Sequence, residues 1–515
     1  MIMRSLLDQL ASRAEESPNA PAVRALDGRV IARAAFVRRT RATAAGLAHA
    51  GMRPGDRVLI AVRFSTETLE LAIAILELGG VLVPLDTGLG ESVFAERMTL
   101  IAPTWVIAES VLLAASASRM AMRLLRSRGV RLPRLVDMRG ATFVRVGRWM
   151  PGVPRSLSLA ALRRRGEEVS VPAPALEPTA PAIIVCTSGT TGAPNAVVHS
   201  RRSVGAIIAA VGAPLAFDAD DVVYAHELHA ALPALLAGAT VLVSKHSFFV
   251  PRQVIGQMKR HGVTCWFAVT SDCNALAEWC AAHGTRMPAT LRQLIISSAP
   301  VRAPFLRRLR GVLAAGTRVW CVYGLTEMVP VAYVDLDEKL AYDGEGDLVG
   351  PPLPGISARL AHDGELLLAG PNLCSEYLGH PPLRELATGD LARIDEGRVV
   401  LLGRRKDMMI RGSHNIYPEL YEPAIERIAG VRRCAMVGVY DEAAADERIV
   451  LGVEAQPGVD KRALKVRVGE ALRRGPSRID DAAYPDLILV APLSVCGRSS
   501  KVDREQLRTL ARGSL

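Results

Sequence analysis

Apolar residues in the first third of the chain alternate between strand-like and helix-like spacing. Residues 56–62 form a short apolar run after a Pro-Gly turn, which predicts a buried strand. Residues 67–78 repeat apolar positions at helical spacing and end at Gly79-Gly80, and residues 81–86 then predict a second strand. A strand, a helix and a strand in this order predict a parallel α/β layer.

The pattern changes twice further along the chain. Residues 166–181 are rich in Pro, Ala and Glu and predict a surface connection, after which the α/β alternation resumes to about residue 335. Between residues 340 and 400, short alternating runs divided by Gly and Pro predict an antiparallel β-subdomain. The last part, from about residue 407, has its own strands and a helix at 461–474, which predict a small α+β domain.

Composition narrows the class of protein. A chain of 515 residues is long enough for two or more domains. The net charge of +11 comes from short groups of arginine interleaved with acids, and only 4% of residues are aromatic, so we expect a solvated basic surface and no nucleic-acid partner. The eight cysteines form no C-x-x-C pair and predict core thiols in a reducing cytoplasm. We expect no signal peptide and no membrane span.

A loop of small residues follows the predicted strand 182–186. Backbone N–H groups and hydroxyls in such a loop converge on an anion, which suits a triphosphate. The loop lacks the Gly-Lys-Ser/Thr ending of P-loop proteins, and taken alone it fits a Ser/Thr-rich turn equally well. The residues concerned are Thr187, Ser188, Gly189, Thr190, Thr191 and Gly192.

Further motifs in a fixed order give this loop a context. The chain carries LGGVLVPLD at 78–86, YGLTE at 323–327, TGD at 388–390, GRRKD at 403–407 and SKVDR at 500–504. Together they resemble the adenylate-forming superfamily of acyl-CoA synthetases, non-ribosomal peptide adenylation domains and luciferases, over nearly the whole chain. The resemblance implies an N-terminal domain of α/β layers plus a β-subdomain, residues 1–405, and a small mobile C-terminal domain, residues 406–515.

The resemblance also implies a reaction. ATP and an acid give an acyl-adenylate and pyrophosphate, and a thiol of CoA or of a carrier-protein phosphopantetheine then takes the acyl group. By similarity, the loop 187–192 cradles the β- and γ-phosphates. Lys501 is expected to be catalytic, because its ammonium would stabilise the charge that develops at the α-phosphate. Lys406 matches the hinge between the domains, although an ordinary linker residue is an equal alternative.

The remaining nucleotide contacts follow from the same resemblance. Thr326 would contact the α-phosphate, and Glu327 would hold Mg²⁺, a hard cation that prefers carboxylate and phosphate oxygens. Asp390 would accept hydrogen bonds from the ribose hydroxyls, with Arg404 nearby. The residues expected against the adenine are Tyr323, Ser298, Ala299 and Pro300.

The chain departs from the family pattern in three places. Asn195 stands where the phosphate loop usually has Lys, and Leu420 stands where the thioester-face motif usually has Glu. The segment before Gly238-Ala239 is short, and its His226 and His229 would share one face if they were helical. We expect these histidines to line the acid pocket, with metal binding or core packing as alternatives.

The leading interpretation is therefore an ATP-dependent acid–thiol ligase of the acyl-CoA synthetase type, acting on a small-molecule acid. One alternative is an adenylating enzyme with another outcome, namely carrier-protein loading, β-lactone closure or nitrite activation for diazo formation. A second alternative is a degenerate nucleotide-binding homologue. The motifs that contain Glu327, Asp390 and Lys501 argue against the degenerate homologue.

Overall fold

A computed structural model gives the fold, and it describes residues 5–85, 91–127, 133–138, 140–172, 174–187, 195–244, 249–297, 301, 303–344, 346–404, 409–412, 414–416, 418–474, 477–496 and 501–513. Within these ranges the helices are α1 (Leu6–Glu16), α2 (Arg33–His49), α3 (Thr66–Glu77), α4 (Glu91–Ile101), α5 (Ser110–Ala117), α6 (Arg119–Ser127), α7 (Leu159–Glu168), α8 (Arg201–Leu215), α9 (Leu228–Ala237), α10 (Pro251–His261), α11 (Thr270–Ala282), α12 (Ala303–Val312), α13 (Leu336–Ala341), α14 (Pro418–Glu426), α15 (Lys461–Arg474) and α16 (Arg504–Arg512).

The strands are β1 (Pro21–Ala25), β2 (Val30–Ala32), β3 (Arg57–Ala61), β4 (Val81–Pro84), β5 (Trp105–Glu109), β6 (Thr142–Val146), β7 (Leu157–Ser158), β8 (Pro181–Thr187), β9 (Asn195–Ser200), β10 (Val222–Tyr224), β11 (Thr240–Val243), β12 (Cys265–Val269), β13 (Gln293–Ser297), β14 (Arg318–Leu325), β15 (Met328–Asp335), β16 (Asp347–Gly350), β17 (Ser357–Leu360), β18 (Glu365–Ala369), β19 (Glu376–Tyr377), β20 (Leu386–Asp395), β21 (Arg398–Arg404), β22 (Met409–Arg411), β23 (His414–Ile416), β24 (Val431–Asp441), β25 (Asp446–Ala455), β26 (Leu487–Val490), β27 (Val495–Cys496) and β28 (Lys501–Val502).

Two eight-stranded sheets carry most of the chain before residue 380. The first has the order β15-β14-β13-β12-β10-β11-β1-β2, and the second has the order β19-β9-β8-β4-β3-β5-β6-β7. The pairs β3–β4 and β3–β5 are parallel, as the strand–helix–strand pattern predicted. Antiparallel pairs occur at the margins, where β14 meets β15 and where β8 and β19 flank β9.

Hydrophobic clusters show how these sheets are layered. One cluster joins inward residues of both sheets, such as Val223 and Ile107, to helices α2, α3, α8 and α9. The opposite face of the first sheet packs on α10, α11 and α12, and the opposite face of the second packs on α4 and α5. The result is an α/β fold in which helices cover the sheets on both sides, the arrangement that parallel strands require.

The predicted connection at 166–181 starts three residues too early, because residues 166–168 complete α7. Gly166 is buried there against α2, and a Cβ atom on it would lie 1.8 Å from the carbonyl oxygen of Ala42. The glycine permits a close crossing of two helices, so here it does not mark the start of a loop.

The later predictions also agree with the structure. Residues 347–404 contain a five-stranded antiparallel sheet in the order β16-β21-β20-β18-β17. After residue 409, β24, β25 and β26 form a three-stranded sheet that α14, α15 and α16 cover. Six of the cysteines are buried as free thiols, and within the described ranges no helix has the length and apolar character needed to cross a bilayer.

Candidate active site

The turn between β14 and β15 presents two of the predicted nucleotide residues. Leu325 pairs with Met328, so Thr326 and Glu327 are the two turn positions of a tight hairpin, and both are half-buried. The register shifts between Tyr323 and Leu325, where a Cβ on Gly324 would lie 3.0 Å from a methyl group of Val329. Gly324 therefore fits a close approach that re-aims the strand just before the turn.

Tyr323 and Asp390 are in direct contact. The Tyr323 hydroxyl donates to Oδ2 of Asp390 over 2.7 Å, and Asp390 is only 2% exposed. Asp390 lies on β20 directly opposite Arg404 on β21. The backbone of Asp390 is held in turn by the Thr388 hydroxyl, which accepts its N–H. Three residues from separate motifs are thus brought to one place, with a buried carboxylate among them.

Glu327 is tied to the strand that leaves the phosphate loop. The Tyr377 hydroxyl donates to Oε1 of Glu327 over 3.0 Å, and Tyr377 pairs in the sheet with Val197 on β9. The carbonyl of Glu327 also accepts the N–H of Cys374. Because β9 begins at Asn195, the Glu327 carboxylate is anchored two residues from the end of that loop.

His199 supports the other residue of the turn. Its Nε2 lies 2.8 Å from the carbonyl oxygen of Thr326, and its Nδ1 lies 3.2 Å from the Ser203 hydroxyl. Burial lowers the pKa of His199, and the bond to Thr326 acts in the opposite direction. A neutral ring facing a carbonyl must carry its hydrogen on Nε2, so His199 donates to Thr326 and positions it.

The structure does not test several of the predicted site residues. Ser188 to Gly192, Ser298 to Pro300 and Lys406 lie outside the described residues. Thr187 and Asn195 pair at the end of β8 and β9 that the phosphate loop connects, and β13 ends at Ser297 next to β14, so both loops start beside the turn. Lys501 begins β28, opposite Cys496, and its side chain is also outside the description.

The histidines of the predicted acid pocket do not share a helical face. His226 precedes α9, which begins only at Leu228, so the helical condition for a shared face is not met. The ring of His226 meets Tyr224 edge-on at 4.7 Å, whereas His229 bonds Glu227 and meets the Phe267 ring at 6.4 Å. The structure describes no cluster of three His, Cys, Asp or Glu ligands within these ranges, so the metal alternative gains no support.

His226 is exposed to solvent but lies among other protein groups. The surrounding protein lowers the pKa of its ring by desolvation. These two facts agree if the ring lies in a concavity that is open to solvent. His226 follows β10 and Phe267 lies on β12, which are parallel neighbours of the first sheet, so both lie toward the carboxyl edge where β13 and β14 lead to Ser297 and Tyr323. Ligands bind at this edge in open α/β sheets.

Two aromatic residues of β12 have different surroundings. Trp266 is 1% exposed and stacks on Phe249 in the cluster beneath α10 and α11, so it belongs to the core. Phe267 is half-buried on the opposite face, where it meets both His229 and Phe217. Only Phe267 is therefore placed to line the recess.

Sequence reasoning missed His199, Tyr377 and Asp272. Burial in the first turn of α11 raises the pKa of Asp272 to about 6, and burial, with a smaller effect of the Asp272 charge, raises the pKa of the Tyr224 phenol. A His within the strand that follows the phosphate loop was a usable signal for His199. Nothing in the sequence pattern distinguishes Tyr377 or Asp272 from ordinary core residues.

The fold and these contacts define a nucleotide-binding α/β enzyme of the adenylating type. The family model described as "AMP-binding enzyme" matches residues 10–378, and the chain belongs to that family. A feruloyl-CoA synthase from an Amycolatopsis species is 30% identical over 463 residues, which cover 83% of this chain and 84% of that protein. An olefin β-lactone synthetase from Stenotrophomonas maltophilia is 28% identical over 528 residues, with 93% and 90% covered.

Solved structures agree on the fold. An amide bond synthetase from Marinactinospora thermotolerans superposes with a TM-score of 0.76 at 22% identity, covering 97% of this chain and 99% of that chain. An o-succinylbenzoate CoA synthetase from Bacillus subtilis gives a TM-score of 0.74 at 21% identity, with 97% and 98% covered. The family supports ATP use and adenylation for this chain, and its relatives differ in the acceptor.

Proposed function

We propose that the protein converts a carboxylic acid and ATP to an acyl-adenylate and pyrophosphate, and then transfers the acyl group to the thiol of CoA. The observation that carries the proposal is the convergence of Tyr323, Asp390 and the Thr326-Glu327 turn beside the start of β9. These residues come from motifs far apart in the chain, and a nucleotide is the ligand that their chemistry shares.

Each side chain has a definite task in this proposal. Asp390, held by the Tyr323 hydroxyl, accepts hydrogen bonds from the ribose, and its burial favours a fixed orientation. Glu327 offers a carboxylate that suits Mg²⁺, and the Tyr377 bond restrains one of its oxygens. Thr326, positioned by His199, faces the α-phosphate. The metal would supply charge neutralisation for the phosphates.

Residues 406–515 are proposed as a lid that brings Lys501 to the reacting phosphate. A fixed ammonium at the developing charge stabilises a transition state by several kcal/mol, which corresponds to about a hundredfold or more in rate. The acid is proposed to lie in the recess at His226, between the His229–Phe267 pair and the turn. A half-buried aromatic wall suits a flat or apolar acid, and feruloyl-CoA synthase, the relative named above, takes its name from an aromatic acyl group.

The first experiment measures acid-dependent pyrophosphate release from ATP over a panel that includes ferulate, benzoates, fatty acids and amino acids. The variant Lys501→Ala should lose about a hundredfold or more of the rate with the best acid. The matched control Lys465→Ala removes an exposed lysine of α15 and should leave the rate unchanged. An unchanged rate in Lys501→Ala would exclude the catalytic assignment, and no release with any acid would exclude the enzyme.

One residue, Leu420, favours a second outcome of the reaction, in which the acyl group is not transferred to a thiol. Leu420 replaces the acid that is usual in the thioester-face motif, and relatives of this chain include a β-lactone synthetase. The same reaction is therefore run with CoA, with an amine and with a 3-hydroxy acid alone, and products are identified by mass. Thioester formation supports the ligase, whereas lactone or amide formation without CoA supports the non-thiol outcome.

A further inference from the structure

Almost all of the chain's excess positive charge lies in one segment. Residues 118–157 contain ten arginines, no lysine and a single acid, Asp137, and so contribute +9 to a total of +11. The remaining 475 residues are nearly balanced. The general view of arginines interleaved with acids therefore fails for this segment, whose charge is concentrated enough to act on a partner as one field.

The same part of the chain exposes apolar side chains. Of the fourteen large hydrophobic side chains that are exposed within the described residues, six fall in residues 111–157. Met120 is 81% exposed, Trp149 is 63% exposed and Leu124 is 54% exposed. The other three are Val111, Met150 and Leu157. Single exposed apolar residues are ordinary, but six in one short stretch indicate an interaction site.

The fold gathers these residues at one margin of the second large sheet, where β6 and β7 are the last strands. Helix α5 packs on β5 and β6, and α6 follows it after Ser118. The loop from β6 to β7 returns onto α5, because a Cβ built on Gly152 would lie about 3.6 Å from the Cα of Ala114, and Val153 joins the hydrophobic cluster against which Ala114 packs. We call α6 and residues 147–157 the basic edge.

Arginines on the basic edge are available for a partner. Arg119, Arg123, Arg148 and Arg155 are exposed, and no ion pair joins any of them to another residue in the described ranges. Elsewhere on the surface arginines commonly face carboxylates, as Arg63 faces Glu109 at 2.9 Å. These four guanidinium groups attract anions. The exposed Trp, Met and Leu side chains in the same region lower the free energy when they leave water.

We propose that the basic edge binds an anionic lipid surface, with Met120, Leu124 and Trp149 entering the interfacial layer and the arginines facing lipid phosphates. Basic amphipathic helices with Trp and Leu behave in this way, and each arginine near an anionic bilayer contributes about 1 kcal/mol. The three apolar side chains project into solvent, each of them more than half exposed. A fluid layer accommodates such protrusions, whereas a protein partner needs a matching pocket.

This contact is peripheral and is independent of the proposed function. Trp149 lies in the loop after β6, whereas the Tyr323–Asp390 pair lies on β14 and β20 in other sheets. The basic edge contains none of the residues assigned to the nucleotide or the acid. Membrane binding and the proposed catalysis can therefore be tested separately.

The test is vesicle flotation of the full chain with phosphatidylcholine alone and with phosphatidylcholine mixed with phosphatidylglycerol. We expect binding only to the anionic vesicles, with a loss at high salt because the attraction is electrostatic. The double variant Arg119→Glu/Arg123→Glu should bind at least about tenfold more weakly. The matched control Arg462→Glu/Lys465→Glu makes the same charge change on exposed positions of α15 and should bind as the unaltered chain does.

A second measurement needs no charge variant. Trp149 is the one exposed tryptophan among the five, all of which are described, so a blue shift of fluorescence with anionic vesicles reports on it, and Trp149→Phe should abolish the shift. Three outcomes would overturn the proposal: no flotation with either vesicle, equal loss in the α15 control, or binding to an acidic protein or DNA without binding to vesicles.

Discussion

Tyr323 is expected to lie against the adenine. Its hydroxyl also holds Asp390, the residue that is expected to contact the ribose. Removing the hydroxyl in Tyr323→Phe keeps the ring but leaves a buried carboxylate with one donor fewer, a loss worth about 1.5–3 kcal/mol. We expect the dissociation constant for ATP, measured by calorimetry, to rise about tenfold or more.

The matched control for this change lies on the same hairpin. Tyr333 on β15 is buried edge-on against Trp320, and the structure gives its hydroxyl no contact with Asp390. Tyr333→Phe should therefore leave ATP affinity unchanged. Equal weakening in both variants would mean that the hydroxyls act only through general packing.

Asp272 makes stability depend on pH. Its pKa is about 6 in the folded protein against an ordinary value of 3.8, because burial disfavours the charged form. The folded state therefore binds the extra proton between these values, so the stabilising contribution of Asp272 is fully present below about pH 4 and is lost as pH rises to about 6. Asp272→Asn removes this loss and should stabilise the protein by about 1–3 kcal/mol at pH 8.

Thermal unfolding of the Asp272→Asn variant at pH 4 and pH 8 checks this expectation. The gain should appear at pH 8 and vanish at pH 4, where the native side chain is already protonated. Asp220→Asn, at an exposed aspartate, should change neither melting temperature. A gain of the same size at both pH values would attribute the effect to the amide itself and not to ionisation.

At the residue scale, the sequence indicated which residues could contact the nucleotide, but it did not indicate the residues that hold those side chains in place. The contact between Tyr323 and Asp390 follows from two motifs, although neither motif specifies the hydrogen bond. His199, Tyr377 and Asp272 were missed because their roles depend on neighbours far along the chain, such as the Thr326 carbonyl 127 positions away from His199. Spacing in sequence carries no information about such pairs.

Helices α2 and α7 cross so closely that glycine is required at the contact. Cβ atoms built on Gly46 and Gly166 would lie 2.0 Å and 1.8 Å from backbone carbonyl oxygens of the other helix. Gly166→Ala forces the helices apart and should destabilise the protein by about 3 kcal/mol or more in urea unfolding. Gly256→Ala, in α10 with open space around it, should instead stabilise by about 0.5–1 kcal/mol.

A loss in Gly166→Ala no larger than the change in Gly256→Ala would refute the close crossing. The same two helices also share a buried charge, since Glu70 of α3 is fully buried and accepts from Arg39 of α2 and Arg163 of α7. Separation of the helices would loosen this group as well, and an unpaired buried carboxylate costs several kcal/mol. Both observations indicate that α2, α3 and α7 unfold together.

The bounds of helices and strands were the part of the structure that the sequence predicted best. Strands β3 and β4 and helices α3 and α15 lie within a few residues of their predicted bounds, because their apolar periodicity matches their burial. The predicted surface connection at 166–181 began three residues too early, because residues 166–168 complete α7, and His226 lies before α9 begins, so it shares no helical face with His229. In both cases a tertiary contact or a strand end decided the local structure.

At the scale of the whole molecule, residues after 409 have hydrophobic clusters of their own. Members of these clusters run from Met409 to Ala511, and one residue of this part, Ala445, is buried instead among the side chains of α11 and α12. This separation supports the proposed division into a large domain and a lid. The contact around Ala445 is then a place where the two parts are held together.

Two side chains of the large domain hold the turn between β24 and β25. Arg308 donates to the carbonyl of Glu442 over 2.8 Å and to Oδ1 of Asn274 over 3.0 Å, and Asn274 donates to the carbonyl of Ala443 over 2.9 Å. Asp441 caps the turn from within by accepting from the N–H groups of Ala443 and Ala444. Arg308 therefore holds the turn directly, through the carbonyl of Glu442, and indirectly, through Asn274.

Arg308→Ala should release this turn without unfolding either part. The variant loses a charged donor to a carbonyl and the alignment of Asn274, worth about 1–3 kcal/mol together, so backbone amides at 441–446 should exchange hydrogen about ten- to a hundredfold faster. Arg307→Ala, one position away and exposed on the same helix, should exchange as the unaltered chain does. Hydrogen exchange with mass detection of the 441–446 peptide measures both, and unchanged exchange in Arg308→Ala would mean that burial of Ala445 alone holds the lid.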